Sequence, residues 1–358
     1  MKLLIAHEIF PPDFSGGGEK LLLEIIKRLK KQHQIIVITS GNQEIKEFNG
    51  IKTIRIPIHR MLFNIFGIPL LLVYGKRFDV LIGNTYHSAI PTAIASFLLK
   101  KPSICIVHGA YGKKWLEMKG IFSLFAILLE KIIFKLPFSY FLFFSDFAQK
   151  SALKLGVDKT RTIIISPGIE INKFKKRKKK KFVLFVGRLE RQKGIDIVME
   201  VAKRLPHVKF ILVGKRNPCE KLEKFPPNVE WKGFVSERTL IKLYEEALIF
   251  FLPSRAETLG YSILEAMAAG CAIVSTVSLS YFGYKIKEND KIETITKVIE
   301  RMIIEKENTE RLGALNRKIA KNYQWDSFIR NFNKLLRLLV NKSNEKNTHT
   351  SSTLPSNF

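Results

Sequence analysis

Two carboxylates, Glu257 and Glu265, stand eight positions apart in SRAETLGYSILEAMAAG (254–270), around a glycine and a helix start. A carboxylate accepts hydrogen bonds from paired hydroxyls. Such acids could bind a sugar or a ribose rather than transfer protons. Arg188 and Lys193, in FVGRLERQKGIDIV, follow an apolar run and precede a helical one. Two cations there could neutralise a diphosphate, Arg by its planar fork and Lys as a point charge. In HEIFPPDFSGGGEK, Gly16, Gly17 and Gly18 come directly before a helical pattern. Glycine lets the backbone approach a ligand, and a helix start offers unpaired N–H groups and positive partial charge. Each feature also has a plain structural reading. Glu265 would then be a helix-surface acid and Glu257 a helix-start acid; the cations would line a solvated loop, and the glycines would form a turn.

These residues need strands and helices to place them. KLLIA (2–6), QIIVIT (34–39), KFVLFVG (181–187), KFILVG (209–214), LIFFLPS (248–254) and AIVST (272–276) read as strands. EKLLLEIIKRLKK (19–31), IDIVMEVAKRL (195–205) and residues 260–269 read as helices. Near-continuous apolar strands separated by helices indicate parallel sheets covered on both faces. The fold class is therefore α/β, with two doubly wound Rossmann-like domains. Ligands bind outside the carboxyl ends of strands in such sheets, where Arg188, Lys193 and Glu257 fall. The glycine spacing is not G-x-G-x-x-G, and no acid follows the second strand, which ends TSGN. That disfavours a nicotinamide cofactor.

The length of 358 residues suits two domains, and 46% apolar residues suffice for real cores. The formal charge of +28 predicts attraction to anions without choosing among nucleic acid, membrane and phosphorylated small molecules. KKRKKKK (175–181) reads as a solvated charged linker, with a dedicated anion site as the alternative. The boundaries expected are an N-terminal domain over 1–170, a basic linker over 171–181, a C-terminal domain over 182–320, and a disordered tail over 343–358. Cys105, Cys219 and Cys271 form no metal-ligand spacing and suit a reducing compartment. The N-terminus, MKLLIAHEIFPP, does not read as a signal peptide, and no segment reads as a transmembrane helix.

The ordered set GGGE, VHG, GRLxxxKG and E-x7-E, spread over residues 1 to about 340, resembles the GT-B-fold glycosyltransferases of glycosyltransferase family 4. SDFAQKSALKLGVDKTRTIIISPGIEINKF is similar to the family's end-of-first-domain segment. NYQWDSFIRNFNKLL is similar to its terminal helix, which crosses back to the first domain over 321–342. The resemblance implies two domains facing across a cleft, the second binding a nucleotide-diphosphate sugar and the first the acceptor. It implies that Arg188 and Lys193 hold the diphosphate, with the Gly16–Gly18 backbone nearby. Glu265 would bind the ribose, and Glu257 the sugar hydroxyls. The backbone at Leu259 and Gly260 would lie close to sugar and phosphate, and His108 would be the cleft histidine. Without the family, His108 reads as a half-buried structural imidazole.

The resemblance further implies retention at the anomeric carbon by a front-face reaction, in which the leaving phosphate takes the acceptor's proton. No metal and no resident cofactor are expected; no Asp-x-Asp pair occurs. Two departures stand out. STVSLSYFGYKIKEND, after AIVST, is shorter than the family's segment and lacks its Gly-Gly turn and acid. VGKRN (213–217) lacks a second glycine, which predicts base recognition different from the family's pattern.

In the first domain, RMLFNIFGIPLLLVYGKR and GKKWLEMKGIFSLFAILLEKIIFKLPFSYFLFF mix apolar and aromatic residues with lysine. Such segments lie on anionic bilayers, or they are core helices. The partners expected are a nucleotide sugar, a lipid-linked or glycan acceptor and an anionic membrane surface. The location expected is cytoplasmic, peripheral on the inner face of the membrane. The competing reading is a catalytically silent glycosyltransferase-like subunit that binds a membrane or protein partner. Nucleic-acid binding is not expected: the aromatics fall in apolar runs rather than among the basic clusters.

Overall fold

A computed structural model describes residues 1–13, 17–84, 86–119, 123–217, 224–257, 259–287 and 290–351. The chain divides into two compact units. The first is Met1–Ser166 with the chain from Asp326 onward, and the second is Pro167–Trp325.

The first unit is built from β1 (Lys2–Ala6), α1 (Gly17–Leu29), β2 (Gln34–Ser40), β3 (Glu47–Phe48), β4 (Ile51–Ile56), α2 (Phe63–Gly75), β5 (Val80–Asn84), α3 (Ala89–Leu98), β6 (Ser103–Val107), α4 (Lys114–Lys119), α5 (Leu124–Lys135), β7 (Tyr140–Phe143), α6 (Asp146–Leu153) and β8 (Thr162–Ile164). The sheet order is β3-β4-β2-β1-β5-β6-β7-β8, and only the β3–β4 pair is antiparallel. VLIGN and SICIV in β5 and β6 are buried throughout, as central parallel strands must be. In β1, Leu4 pairs with Ile36 on one side and Leu81 on the other. The chain leaves β1 towards β2 and later returns to β1's other edge as β5. That reversal makes a topological switch point between β1 and β5.

The second unit follows with β9 (Lys180–Val186), α7 (Ile195–Arg204), β10 (Lys209–Val213), β11 (Val229–Trp231), α8 (Glu237–Glu246), β12 (Ala247–Leu252), α9 (Tyr261–Ala268), β13 (Ala272–Ser275), β14 (Gly283–Lys285), α10 (Ile292–Ile304) and α11 (Lys306–Ala320). Its sheet is wholly parallel, in the order β11-β10-β9-β12-β13-β14. Val183 of β9 pairs with Phe210 and Ile249. Here the switch point lies between β9 and β12.

α12 (Trp325–Ser351) packs within the first unit. Phe328, Phe332, Leu335, Leu336 and Leu339 are buried at helical spacing. The Phe144 and Phe328 rings lie 6.5 Å apart, and His33 and Asn333 share a 2.7 Å hydrogen bond.

Two expectations are corrected. The tail does not become irregular at 343, because α12 runs on to Ser351. Residues 343–351 contain neither glycine nor proline, so nothing in them stops a helix that is already nucleated. Residues 352–358 lie outside the described part. The basic run 175–181 is not a free linker either. Lys180 and Lys181 open β9, and Lys179 is buried, its Nζ donating to Tyr244 O at 3.2 Å and Ala269 O at 2.8 Å. Arg177 donates to Glu245, and Lys180 pairs with Glu246. Acids at the end of α8 supply the counter-charge, and backbone carbonyls accept from Lys179.

Candidate active site

In the second unit, β9 delivers Arg188 and the turn that carries Lys193, while β12 delivers the 253–260 loop. The two loops interlock. Arg255 donates to both carboxylate oxygens of Asp196 at 2.7 Å, and its backbone N–H donates to Gln192 O at 2.9 Å. Ser254 Oγ donates to Gln192 O at 3.0 Å. Gly194, at φ +78°, lies where any Cβ would collide with the Pro253 carbonyl. Only glycine permits this approach, which brings the two loops into register.

That register joins Lys193 to Glu257. Lys193 Nζ donates to Glu257 Oε2 at 2.5 Å, with the side chains 18% and 16% exposed. Arg188 is open by comparison. Its side chain is 53% exposed, and its guanidinium lies 3.0 Å from Glu190, whose carboxylate is buried. Thr258 lies outside the described residues. Leu259 is buried, and Gly260 takes φ +63° immediately before α9. Gly260 is the N-cap of α9 and has no side chain of its own to cap it. Glu265, on α9, accepts a 2.9 Å hydrogen bond from Tyr244 Oη. Burial, with Glu265 alongside, holds that hydroxyl well above its usual range, so Tyr244 remains a donor.

In the first unit, β6 delivers His108. A methyl group on Gly18 would lie 3.7 Å from the His108 ring, so the glycine turn and the histidine meet. Gly17 opens α1, and Gly16 lies outside the described residues. Burial lowers His108 to about 4 against the opposing charge of Glu19, so the imidazole is neutral at pH 7. It can exchange hydrogen bonds with hydroxyls but carries no charge. Among the described residues, no group of three or more His, Cys, Asp or Glu is placed to hold a metal ion.

Several supporting residues carry no motif. Glu130, buried on α5, accepts from Tyr86 Oη at 2.8 Å, Gly112 N at 2.7 Å, Trp115 Nε1 at 2.9 Å and Tyr111 N at 3.0 Å. It ties down the loop that begins at His108. Asn316 donates from Nδ2 to Cys271 O and Phe282 O at 2.8 Å and accepts from Phe282 N at 2.6 Å. That amide holds the shortened segment after β13 in place without the family's Gly-Gly turn. In sequence, Glu130 looks only like a charge interrupting an apolar stretch.

Two parallel α/β units with cations, acids and helix starts at their switch points define a GT-B glycosyltransferase. A family model for Glycosyl transferases group 1 matches residues 168–339, and one for Glycosyltransferase Family 4 matches residues 15–173. The chain belongs to this glycosyltransferase family. It is 25% identical, over 95% of its length and 99% of the relative's, to an uncharacterized glycosyltransferase of Methanocaldococcus jannaschii. It is 24% identical to the processive diacylglycerol alpha-glucosyltransferase of Acholeplasma laidlawii, over 42% of this chain and 53% of that one. The crystal structure of Anabaena HepE in complex with UDP-glucose superposes with a TM-score of 0.79 at 18% identity, covering 95% of this chain and 100% of that one.

Proposed function

We propose that the protein moves a hexose from a nucleotide-diphosphate sugar to a membrane-associated or lipid-linked glycan acceptor, with retention at the anomeric carbon. The observation that carries this reading is the Lys193–Glu257 contact at the β9/β12 switch point. A cation suited to a diphosphate is held against an acid suited to sugar hydroxyls. Arg188 and Lys193 take the diphosphate, the start of α9 at Leu259 and Gly260 adds N–H donors, Glu257 binds the sugar, and Glu265 the ribose. The bond from the anomeric carbon to the diphosphate oxygen breaks as the acceptor oxygen bonds to that carbon on the same face. The acceptor's proton passes to the leaving phosphate. Fixed cations and N–H groups meet the charge that grows on the diphosphate, so chelators should leave the rate unchanged.

The acceptor side rests on the first unit's surface. α2 packs on α3, and α3 and α5 contribute to one core cluster. Ile65, Phe66, Val73, Phe97, Phe125 and Leu128 are nevertheless exposed. Apolar patches of this kind mark partner or membrane surfaces. With lysines around them and a net charge of +28, an anionic bilayer is the matching partner. No helix among the described residues is long and apolar enough to cross a membrane.

The test is transfer from UDP- and GDP-sugars to glycolipids in anionic vesicles, with the product's anomeric configuration read by NMR. Formation of the opposite anomer overturns retention. Transfer to soluble glycans alone, with no binding to anionic vesicles at low salt, overturns the membrane-borne acceptor. Absence of nucleotide binding returns the non-catalytic reading.

A further inference from the structure

We infer that Glu8 and Arg60 form a hydroxyl-recognition subsite in the first unit, taking a vicinal pair of hydroxyls on a carbohydrate acceptor. The inference rests on the reading that this unit holds the acceptor. Glu8 stands two residues beyond the end of β1, at the switch point where β1 borders β5. Its side chain is 8% exposed, and Oε2 makes no hydrogen bond. A buried carboxylate oxygen without a donor is rare. The donor is not supplied by the nearest group: His7 Nδ1, 3.6 Å away, already accepts from Ile9 N at 3.1 Å. Burial holds His7 at about 3, so that ring is neutral, and its Nδ1, engaged with Ile9 N, gives Glu8 no proton. Two acceptors face each other, and Oε2 is left for a donor from outside.

The surroundings fit a polyol. Arg60, on the 3₁₀ turn Arg60–Leu62, is half-buried, and its charge acts on Glu8, His7 and His87. A carboxylate that accepts and a guanidinium that donates can between them serve two hydroxyls, each of which can do both. Asn84, the last residue of β5, is fully buried, and neither its Oδ1 nor its Nδ2 has a partner. Neighbouring strand ends therefore both carry unsatisfied polar side chains, which marks a place prepared for a polar guest.

Glu8 is also tunable. Burial raises its carboxyl to about 7, with Glu19 of α1 acting in the same direction, while Glu8's own backbone N–H and Arg60 oppose the shift. Ser40, from β2, donates only to the Glu8 backbone carbonyl. Between about pH 5.5 and 8.5, His7 and His108 stay neutral, at about 3 and about 4. His59 and His87, beside Arg60, are the other titratable groups and need a control variant.

The experiment is saturation-transfer NMR with methyl α-glucoside, methyl α-galactoside, methyl α-mannoside and methyl N-acetylglucosaminide. It compares wild type, Glu8→Gln, Arg60→Gln and His87→Gln across that pH range, with thermal unfolding as the folding check. UDP and GDP shifts are recorded on the same samples. We expect wild type to bind at least one glycoside more tightly as pH rises through about 7. Glu8→Gln should bind about five- to tenfold more weakly and lose the pH dependence, while His87→Gln keeps it. If Glu8→Gln fails to fold, the same weakening in Arg60→Gln carries the test. Equal glycoside binding by wild type and both subsite variants, or no binding by wild type, overturns the subsite. Loss of nucleotide shifts in wild type would instead strike the proposed transfer reaction, so the two failures are distinguishable.

Discussion

Lys193 and Glu257 neutralise each other across 64 residues of sequence, Nζ to Oε2 at 2.5 Å. A diphosphate that binds Lys193 must compete with Glu257, and the sugar then gives Glu257 new donors. Lys193→Ala should abolish the stabilisation by UDP or GDP and lower transfer about 100-fold or more. Glu257→Gln should bind the free nucleotide diphosphate as well as wild type or better, yet lose the extra stabilisation that the attached sugar provides. Thermal shift with nucleotide and nucleotide sugar reads both effects. Equal losses for the two ligands in Glu257→Gln would contradict the sugar-binding role.

Gly194 sets the approach of the two loops, and alanine there meets both a left-handed backbone and the Pro253 carbonyl. Gly194→Ala should cost about 3 kcal/mol or more. Gly17→Ala is the matched control, since a Cβ at Gly17 meets nothing within 4 Å and its φ is ordinary. It should lie within about 0.5 kcal/mol of wild type. Urea denaturation of both variants checks the contrast.

Glu130→Ala leaves a buried hydroxyl, an indole N–H and two backbone N–H groups without their shared acceptor. The expected cost is about 3–4 kcal/mol. Trp115 fluorescence should shift to the red before global unfolding, because its indole loses the contact that holds it.

Glu8→Gln should stabilise the protein, and more so at higher pH. The Glu8 carboxyl is raised from 4.5 to about 7 by burial. Ionising it in the folded state therefore costs stability, starting as pH rises above 4.5 and complete above about 7. The full penalty is about 3 kcal/mol. The difference in Tm between variant and wild type should be near zero at pH 4 and largest at pH 8. A flat difference would show that the carboxyl is solvated.

Both sheets were legible because each strand is a short run of apolar residues and each helix repeats at its own period. β9, β10, β12 and β13 fall within about two residues of the runs that predict them. That Lys193 and Glu257 fall at strand ends was legible too, since both follow such runs and strand ends gather at one edge. Residues 175–181 were not, because their counter-charges, Glu245 and Glu246, come about 70 positions later and only folding brings them there. Glu130 and Glu8 share that difficulty. Their chemistry comes from burial, and a lone acid beside apolar residues does not reveal whether it is covered. The helical stretch 343–351 escaped because polar composition was read as disorder, although it lacks any helix breaker.

The sequestered amine at Lys179 has a practical consequence. Acylating reagents should mark exposed Lys178 and Lys180 quickly and pass Lys179 by, since it is engaged with Tyr244 and Ala269. Tagging at that one nitrogen, followed by mass spectrometry, would then time the opening of the second unit, and a bound donor should slow the clock.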